Sequence, residues 1–445
     1  MKDVNNLEEF LSKLDTLTSK SKSLIPSISY VTVNFDIELP IEKKRIDEKF
    51  KFETKNEFKF TRCIFKGVVK FKDNNSLLQF SCCIFYQINA EDVIFNNKIR
   101  FHGCNFHDIN FTNATFKELA DFWRSSFYKP TIFYRTNFLN NVVFSAAKFK
   151  ENLLFTYTLI DKLIILRGTT VEKGIDLSLA LINGEISVFD FKLKNFESFD
   201  VDEGIIEEIN HLVISENNIA YNIFYQGIFV SNEEILEKHK NPKKTYNEVY
   251  AIKYEEVYES LVSEQGEIPS KNKRETFRII KKVHESQNNI VESIPFRILE
   301  KQALKQELIG NYENRARRFE YNFFDKIVAF IDHYSNRFIL TLNRLSNRYG
   351  KSYWQGAIFV LISGLLFFYF SLLSSEKYEF EWNPLYWSFE SNDFKYYWQS
   401  LNPVHKHSYL DNLKPESYFY FWDYLGRIFV GYGIYQTIQA FRKYK

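Results

Sequence analysis

The sequence contains few residues of the kinds that interrupt regular structure or carry catalysis. Its 445 residues include only 15 Gly, 9 Pro and one Met, which excludes a collagen-like or Gly/Pro-rich low-complexity chain. The formal net charge is only +2, so no strong overall attraction to nucleic acid is implied. There is no Gly-rich phosphate loop, no Gly-x-Ser-x-Gly and no His-Glu-x-x-His. We therefore predict a protein that is not an enzyme and binds no cofactor.

Cysteine is also scarce, which fits a reducing compartment better than a disulfide framework. The four cysteines are Cys63, Cys82, Cys83 and Cys104. The stretch HGCNFH places His102, Cys104 and His107 close together and resembles a metal site, but a structural zinc site needs a fourth ligand at a recognisable spacing. Cys104 lies two residues before Phe106, where related stretches carry Ala, Ser or Thr. A small apolar core role is therefore the preferred interpretation, and we predict no metal.

Aromatic residues, by contrast, are abundant, with 46 Phe and 28 Tyr. From Phe116 to Phe155 the phenylalanines recur at alternating intervals of five and six residues. A helix repeats every 3.6 residues and a strand every two, so this interval predicts a chain wound into stacked coils. The predicted core positions are Phe116, Phe122, Phe127, Phe133, Phe138, Phe144, Phe149 and Phe155.

Small residues two positions before alternate phenylalanines, such as Ala114, Ser125, Thr136 and Ala147, complete the pattern. In this spacing the sequence resembles pentapeptide-repeat proteins. The resemblance implies a β-solenoid, specifically a right-handed, four-sided β-helix, over residues 59–200, with about six coils of roughly 22 residues stacked at the strand spacing of about 4.8 Å. The pattern is irregular at residues 72–94, where we expect a bulged or inserted corner.

Some proteins of this fold imitate DNA, which requires an acidic face. Residues 60–190 contain 15 Lys or Arg against 12 Asp or Glu, so the sign is wrong for that role. We expect no nucleic-acid partner. The outside of a repeat scaffold instead suits recognition of a protein.

The flanking regions divide by composition. We predict an amphipathic helix and an entry strand or cap at 1–58, a cap or transition at 201–229 and a helical connector at 230–312. The connector contains a helical hairpin turning at 287–289, similar to a module in membrane-anchored pentapeptide-repeat proteins. The corresponding residues would be Arg274, Lys281 and Glu300. Surface ion pairs are the preferred interpretation of these residues, over a recognition site.

The C-terminal part predicts a membrane region with two spans. Its predicted parts are a basic juxtamembrane helix at 313–351, a first transmembrane helix at 352–375, an extracytoplasmic loop at 376–416, a second transmembrane helix at 417–441 and a basic cytoplasmic tail at 442–445. The basic residues before the first span are Arg337, Arg344, Arg348 and Lys351. Because positive charge favours the cytoplasmic side, both termini and the repeats of this multi-pass protein should be cytoplasmic. The resemblance to pentapeptide-repeat proteins implies a bacterial source, so the expected location is the bacterial inner membrane.

Polar residues inside the second predicted span suggest two functions. Asp423 and Arg427 are four residues apart on one helical face, and a structural ion pair is the preferred interpretation. Alternatively, Arg427, Gln436, Thr437 and Gln439 contribute to a polar path in an assembly of several copies. We therefore predict a membrane-tethered scaffold or sensor, with an oligomeric, ion-channel-like pore-forming effector as the alternative. Expected partners are membrane lipids, a protein and further copies of the chain.

Overall fold

A computed structural model describes residues 1–18, 24–51, 53–199, 201, 228–229, 244–245, 254–317, 323–375, 391–405 and 417–442. The chain divides into two compact units, Met1–Val283 and His284–Lys445. The first is dominated by a β-solenoid of about 6 turns, and the second is helical.

The strands of the solenoid belong to four sheets, in which strands of successive coils pair mostly in parallel. The first sheet contains Lys2–Val4, Val31–Val33, Ile37–Leu39, Ile64–Phe71, Ile84–Asn89, Asn105–Phe106, Ile109–Asn110, Ser126–Phe127, Lys148–Phe149, Thr170–Val171 and Lys192–Leu193. The second contains Asp15–Thr18, Leu24–Ser29, Glu57–Thr61, Leu77–Ser81, Ile99–His102, Ala120–Asp121, Val142–Val143, Leu163–Ile165 and Glu185–Ser187. The third contains Ile94–Phe95, Thr115–Phe116, Asn137–Phe138, Leu159–Ile160 and Leu181–Ile182, and the fourth contains Thr131–Ile132, Leu153–Leu154 and Ile175–Asp176.

Stacked phenylalanine rings fill the solenoid interior. All eight core phenylalanines named from the sequence are at most 1% exposed. Phe127 stacks on Phe149 with ring centroids 4.5 Å apart, and Phe122 stacks on Phe144 at 5.1 Å. Parallel pairing in register places identical side chains above one another, so each coil buries the rings of the next.

The small inward residues have a second role besides leaving space. Ser125 Oγ donates to the carbonyl oxygen of Phe101 at 2.8 Å, and Thr169 Oγ1 donates to that of Phe144 at 2.7 Å. The Cys104 thiol occupies the same position, 3.6 Å from the carbonyl oxygen of Phe80. A hydroxyl or thiol therefore satisfies a buried backbone acceptor without occupying the space that the rings require.

The sequence predicted a bulged or inserted corner at 72–94, and this prediction was wrong. Phe80 and Phe85 continue the aromatic columns, but the coil is shorter there: Phe60 pairs with Phe80, 20 residues later, whereas Phe127 pairs with Phe149, 22 residues later. The bulge lies earlier, between Phe65 and Val68. It includes Gly67, where a Cβ would lie 2.3 Å from the backbone of Phe35, so only glycine fits.

The predicted N-terminal region contains two short helices and several strands. Helix α1 covers Leu7–Ser12, and Asp15–Thr18 then forms a strand antiparallel to Leu24–Ser29. Helix α2 covers Lys43–Phe50. Strands Leu24–Ser29 and Val31–Val33 already pair in parallel with the repeat strands, so solenoid pairing begins before residue 59.

Beyond the solenoid, most of the transition predicted at 201–229 lies outside the described residues. Within the predicted helical connector, Lys244–Thr245 is instead a strand antiparallel to Ile228–Phe229. A π-helical turn covers Ser260–Gln265. Helix α3 covers Ser270–Ser286 and helix α4 covers Ile290–Arg317, with the predicted turn at 287–289 between them.

The remaining helices lie within the region that the sequence predicts to be at or in the membrane. They are α5 at Phe323–Asn347, α6 at Tyr353–Leu373, α7 at Ser391–Ser400 and α8 at Ser417–Phe441. Among the described residues, only α6 is a helix long and apolar enough to cross a membrane. Helix α8 does not meet that standard, and its spanning stays a prediction. The segment predicted as the loop 376–416 contains α7.

Candidate functional site

The charged residues of α8 form a buried cluster within the helical unit. Asp423 Oδ2 accepts from Arg427 Nε at 2.8 Å, and Asp423 Oδ1 lies 2.9 Å from His405 Nε2. The Asp423 and His405 side chains are 8% and 5% exposed, and Arg427 is 22% exposed. Asp423 and Arg427 were predicted as a pair from their spacing. His405 was not, because it lies outside the helix and gave no local signal.

The contacts of His405 fix the orientation of its ring. Its second ring nitrogen, Nδ1, lies 2.7 Å from the backbone oxygen of Asn402. Both ring nitrogens therefore lie within hydrogen-bond distance of an oxygen atom. The Asp423 carboxylate is thus held from two sides, by Arg427 and by His405, an arrangement suited to a structural role.

A second polar network joins α8 to the end of α5. Asn347 Nδ2 donates to Gln436 Oε1 at 2.6 Å, and Gln436 Nε2 donates to Asn343 Oδ1 at 3.1 Å. Tyr432 Oη also donates to Asn343 Oδ1, at 2.6 Å. Asn347 is fully buried and Gln436 is 6% exposed. The predicted polar residue Gln436 therefore serves helix packing, through asparagines that the sequence reading did not single out.

The two remaining polar residues of α8 differ in environment. Thr437 Oγ1 donates to the backbone of Gly433 at 2.8 Å, and Gln439 is exposed. Thr437 lies against Gly356 of α6, where a Cβ would be 2.4 Å from Thr437 Oγ1. Small residues at such contacts let two helices approach closely.

The segment 391–405 packs against the middle of α6 rather than standing away from it. Tyr397 Oη donates to the carbonyl oxygen of Leu361 at 2.9 Å, and its ring joins a core cluster with Phe368. A Cβ on Gly364 would lie 2.3 Å from Leu401. This segment carries His405 to Asp423.

The basic residues before α6 have distinct surroundings. Arg344, Arg348 and Lys351 are exposed, and Arg337 Nη1 lies 3.3 Å from His333 Nε2. The adjoining face of α5 exposes apolar side chains: Ile327, Ile331, Phe338 and Leu345. An exposed apolar face with neighbouring arginines is typical of helices at a membrane surface.

Residues 258–276 of the connector pack against the fourth sheet of the solenoid, and this contact was missed from the sequence. Asp176, on the fourth sheet, is 2% exposed and accepts from Asn272 Nδ2 at 2.7 Å and from Thr276 Oγ1 at 3.3 Å. Around it, Leu154, Val262 and Ile268 form an apolar cluster. The local signal was weak, because the outward residues Ile132 and Leu154 of this sheet are apolar but so are Val143 and Ile165 of the second sheet.

The residues of the HGCNFH stretch and the charged residues of the helical connector remain to be placed. His102 Nε2 bonds to Asp121 at 2.8 Å, whereas Cys104 is buried in the solenoid interior. Among the described residues, no three His, Cys, Asp or Glu side chains are placed to hold a metal ion. On the two sides of the predicted turn at 287–289, the Glu285 carboxylate pairs with the Arg297 guanidinium at 2.7 Å. The interpretation of Arg274, Lys281 and Glu300 as surface ion pairs stays a prediction.

Residues 90–136 match the family model described as Pentapeptide repeats (9 copies). No curated protein matches the chain, and no solved structure does. The matched residues lie within the solenoid, so the comparison supports the repeat interpretation for that region.

Proposed function

We propose that this chain is a non-enzymatic, membrane-tethered scaffold, in which a right-handed, four-sided repeat solenoid presents a rigid cytoplasmic surface and the C-terminal helices anchor it. The observation that carries the proposal is helix α6, whose Tyr353–Leu373 span has a mean hydropathy of 2.3. Its 21 residues rise about 30 Å, which matches the hydrocarbon thickness of a bilayer.

The exposure of α6 favours a membrane over a soluble core. Only 33% of its apolar window is buried. Side chains such as Ile358, Ile362 and Leu366 are between 49% and 62% exposed. A helix this apolar in a soluble protein would bury most of its surface. The second helix, α8, also exposes an apolar side that includes Ile428 and Ile438.

The pore-forming alternative requires polar side chains that are available to line a path. In a single copy, Arg427 is paired with Asp423, and Gln436 is engaged by Asn347. These contacts give the polar residues of α8 a role in packing one copy. They support the scaffold over the pore, although Gln439 is exposed.

Membrane extraction tests the proposal. The full chain should stay in the membrane pellet after alkaline carbonate treatment. Ile362→Lys/Leu366→Lys should release it, because each lysine near the centre of a span costs about 2.5–3.5 kcal/mol. Leu181→Lys/Phe189→Lys is the matched control, since it replaces two similarly exposed apolar residues of the solenoid. Extraction of the native chain by carbonate would refute the tether.

Potassium efflux separates the two functions. Cells expressing the native chain are compared with cells expressing Asp423→Asn/Arg427→Leu at equal membrane levels. Absence of efflux from both supports the scaffold. Efflux from the native chain that disappears in the variant would establish the pore-forming alternative in its place.

A further inference from the structure

One side of the solenoid is strongly basic. We call it the basic face and define it as the outward side chains of seven successive stretches that each contain one strand or strand segment of the first sheet. The stretches are 62–67, 82–87, 103–108, 124–129, 146–151, 168–173 and 190–195. It carries nine cations and four acids. The cations are Arg62, Lys66, Arg124, Lys129, Lys148, Lys150, Lys173, Lys192 and Lys194, and the acids are Asp108, Glu151, Glu172 and Asp190.

Every acid on the basic face is already paired with a lysine of the same face. The pairs are Asp108 with Lys129 at 2.8 Å, Glu151 with Lys173 at 2.7 Å, Glu172 with Lys150 at 2.8 Å and with Lys194 at 3.0 Å, and Asp190 with Lys192 at 3.4 Å. Within the described part of the chain, Arg62, Lys66, Arg124 and Lys148 have no acidic partner. The face therefore keeps a net positive charge although the whole chain is nearly neutral.

Aromatic rings form a ladder in the middle of this face. Tyr86 stacks on His107 with centroids 4.8 Å apart, and His107 stacks on Tyr128 at 5.1 Å. Tyr86 is 48% exposed and Tyr128 is 43% exposed. Successive coils hold these rings in register, so their outward edges form a fixed row of polar groups beside the cations.

Two arginines at the edge of the face are held by aromatic side chains. The Arg62 guanidinium lies 5.5 Å from the Tyr30 ring centroid and donates to its hydroxyl at 2.7 Å. The Arg124 guanidinium lies 5.2 Å from the ring of Trp123, which is 42% exposed. Such stacking limits the rotamers of an arginine and lowers the entropy lost on binding a carboxylate.

We propose that the basic face binds an acidic polypeptide segment of a partner protein. This inference rests on the proposed scaffold function and names the chemistry of its partner. Side-chain carboxylates complement the unpaired cations and accept hydrogen bonds from tyrosine hydroxyls and guanidinium groups.

Two other anionic partners fit the face less well. Nucleic acid binds such surfaces by stacking bases on aromatic faces, but the faces of His107 are covered by Tyr86 and Tyr128. A bilayer surface is bound by apolar side chains that insert between lipids. On this face Ile64 and Ile84 are only partly exposed, and the remaining outward positions are polar, aromatic or small.

Binding of a fluorescein-labelled peptide of alternating Glu and Ser to the full chain in detergent micelles tests this. Fluorescence anisotropy should show binding that weakens at high ionic strength. The variant Arg62→Gln/Arg124→Gln/Lys148→Gln should bind about tenfold more weakly, since it removes three exposed attractions. The control Lys98→Gln/Lys117→Gln/Lys162→Gln removes the same charge from exposed positions outside the face and should bind like the native chain.

Equal loss in both variants would overturn the proposal, because net charge alone would then explain binding. It would also be overturned if single-stranded DNA, or vesicles containing phosphatidylserine, bound more tightly than the peptide and lost that binding in the first variant alone. Circular dichroism of both variants confirms folding. Carbonate extraction does not depend on this face, so a failure here leaves the membrane tether standing.

Discussion

Replacing Asp176 with alanine should release the connector from the solenoid. The carboxylate is 2% exposed and accepts from Asn272 Nδ2 at 2.7 Å, the Ser178 backbone nitrogen at 2.8 Å and Thr276 Oγ1 at 3.3 Å. Its removal leaves three donors facing an apolar methyl group. Each buried donor without a partner costs about 1–3 kcal/mol.

The net loss is smaller than the sum of those costs. Asn272 Nδ2 also donates to Tyr258 Oη at 2.9 Å, so it keeps one partner. Alanine also removes the cost of burying a carboxylate. We therefore expect Asp176→Ala to lower the free energy of unfolding by about 2–4 kcal/mol.

Two measurements check this prediction. Denaturant unfolding of the full chain gives the free energy, and hydrogen exchange shows where protection is lost. Exchange should accelerate at Ser260–Gln265 and in α3 up to Val283, while the phenylalanine-lined coils keep their protection. A double-mutant cycle with Thr276→Val should give a coupling of about 1 kcal/mol, since the two side chains share a hydrogen bond.

Asp161→Ala is the matched control, because Asp161 is an exposed acid of another sheet. It should change stability by less than about 0.5 kcal/mol. The reasoning is refuted if Asp176→Ala costs no more than Asp161→Ala and leaves exchange in α3 unchanged.

Four further predictions follow from individual contacts. Phe144→Ala should cost about 3–5 kcal/mol in denaturant unfolding, because a fully buried ring leaves a cavity between two coils. Of the four thiols, only that of Cys82 should react with a maleimide in the folded chain, since the other three are buried. The ammonium of Lys43 and the backbone N–H of Thr54 lower the pKa of Asp47 to about 2, so this carboxylate contributes about 1 kcal/mol that is present above about pH 4 and lost as the pH falls towards 2. Arg427→Leu should reduce the amount of folded protein in the membrane, because it removes one partner of a buried carboxylate, and neutralising that carboxylate as well should restore it.

Each of these four predictions has a control variant or a result that would contradict it. Phe144→Leu should cost less than alanine, and equal costs would argue against a packed cavity. Cys82→Ser should abolish labelling, and labelling that persists would show that the coils open. Glu48→Gln should leave the acid profile unchanged, whereas Asp47→Asn should flatten it. If neutralising the carboxylate fails to rescue Arg427→Leu, the arginine has a role beyond the pair.

The sequence by itself determined the solenoid because its signal is local and repeated. A ring every five or six residues, with a small residue two positions before alternate rings, requires identical side chains to stack, and the observed register is the one that this spacing demands. The apolar run of α6 and the spacing of Asp423 and Arg427 are local in the same sense. Each can be read from one continuous stretch of sequence.

Only the tertiary structure decided which faces are covered and which polar groups meet. Asp176 and Asn272 are 96 residues apart in the chain, and His405 meets Asp423 only because 391–405 folds against α6. Neither contact has a periodic or compositional signature. A sequence does not distinguish a carboxylate that is buried in the fold from one that is exposed to solvent. The shortened coils at 72–94 show the same limit: the side-chain period weakens, but backbone pairing between neighbouring coils maintains the aromatic columns.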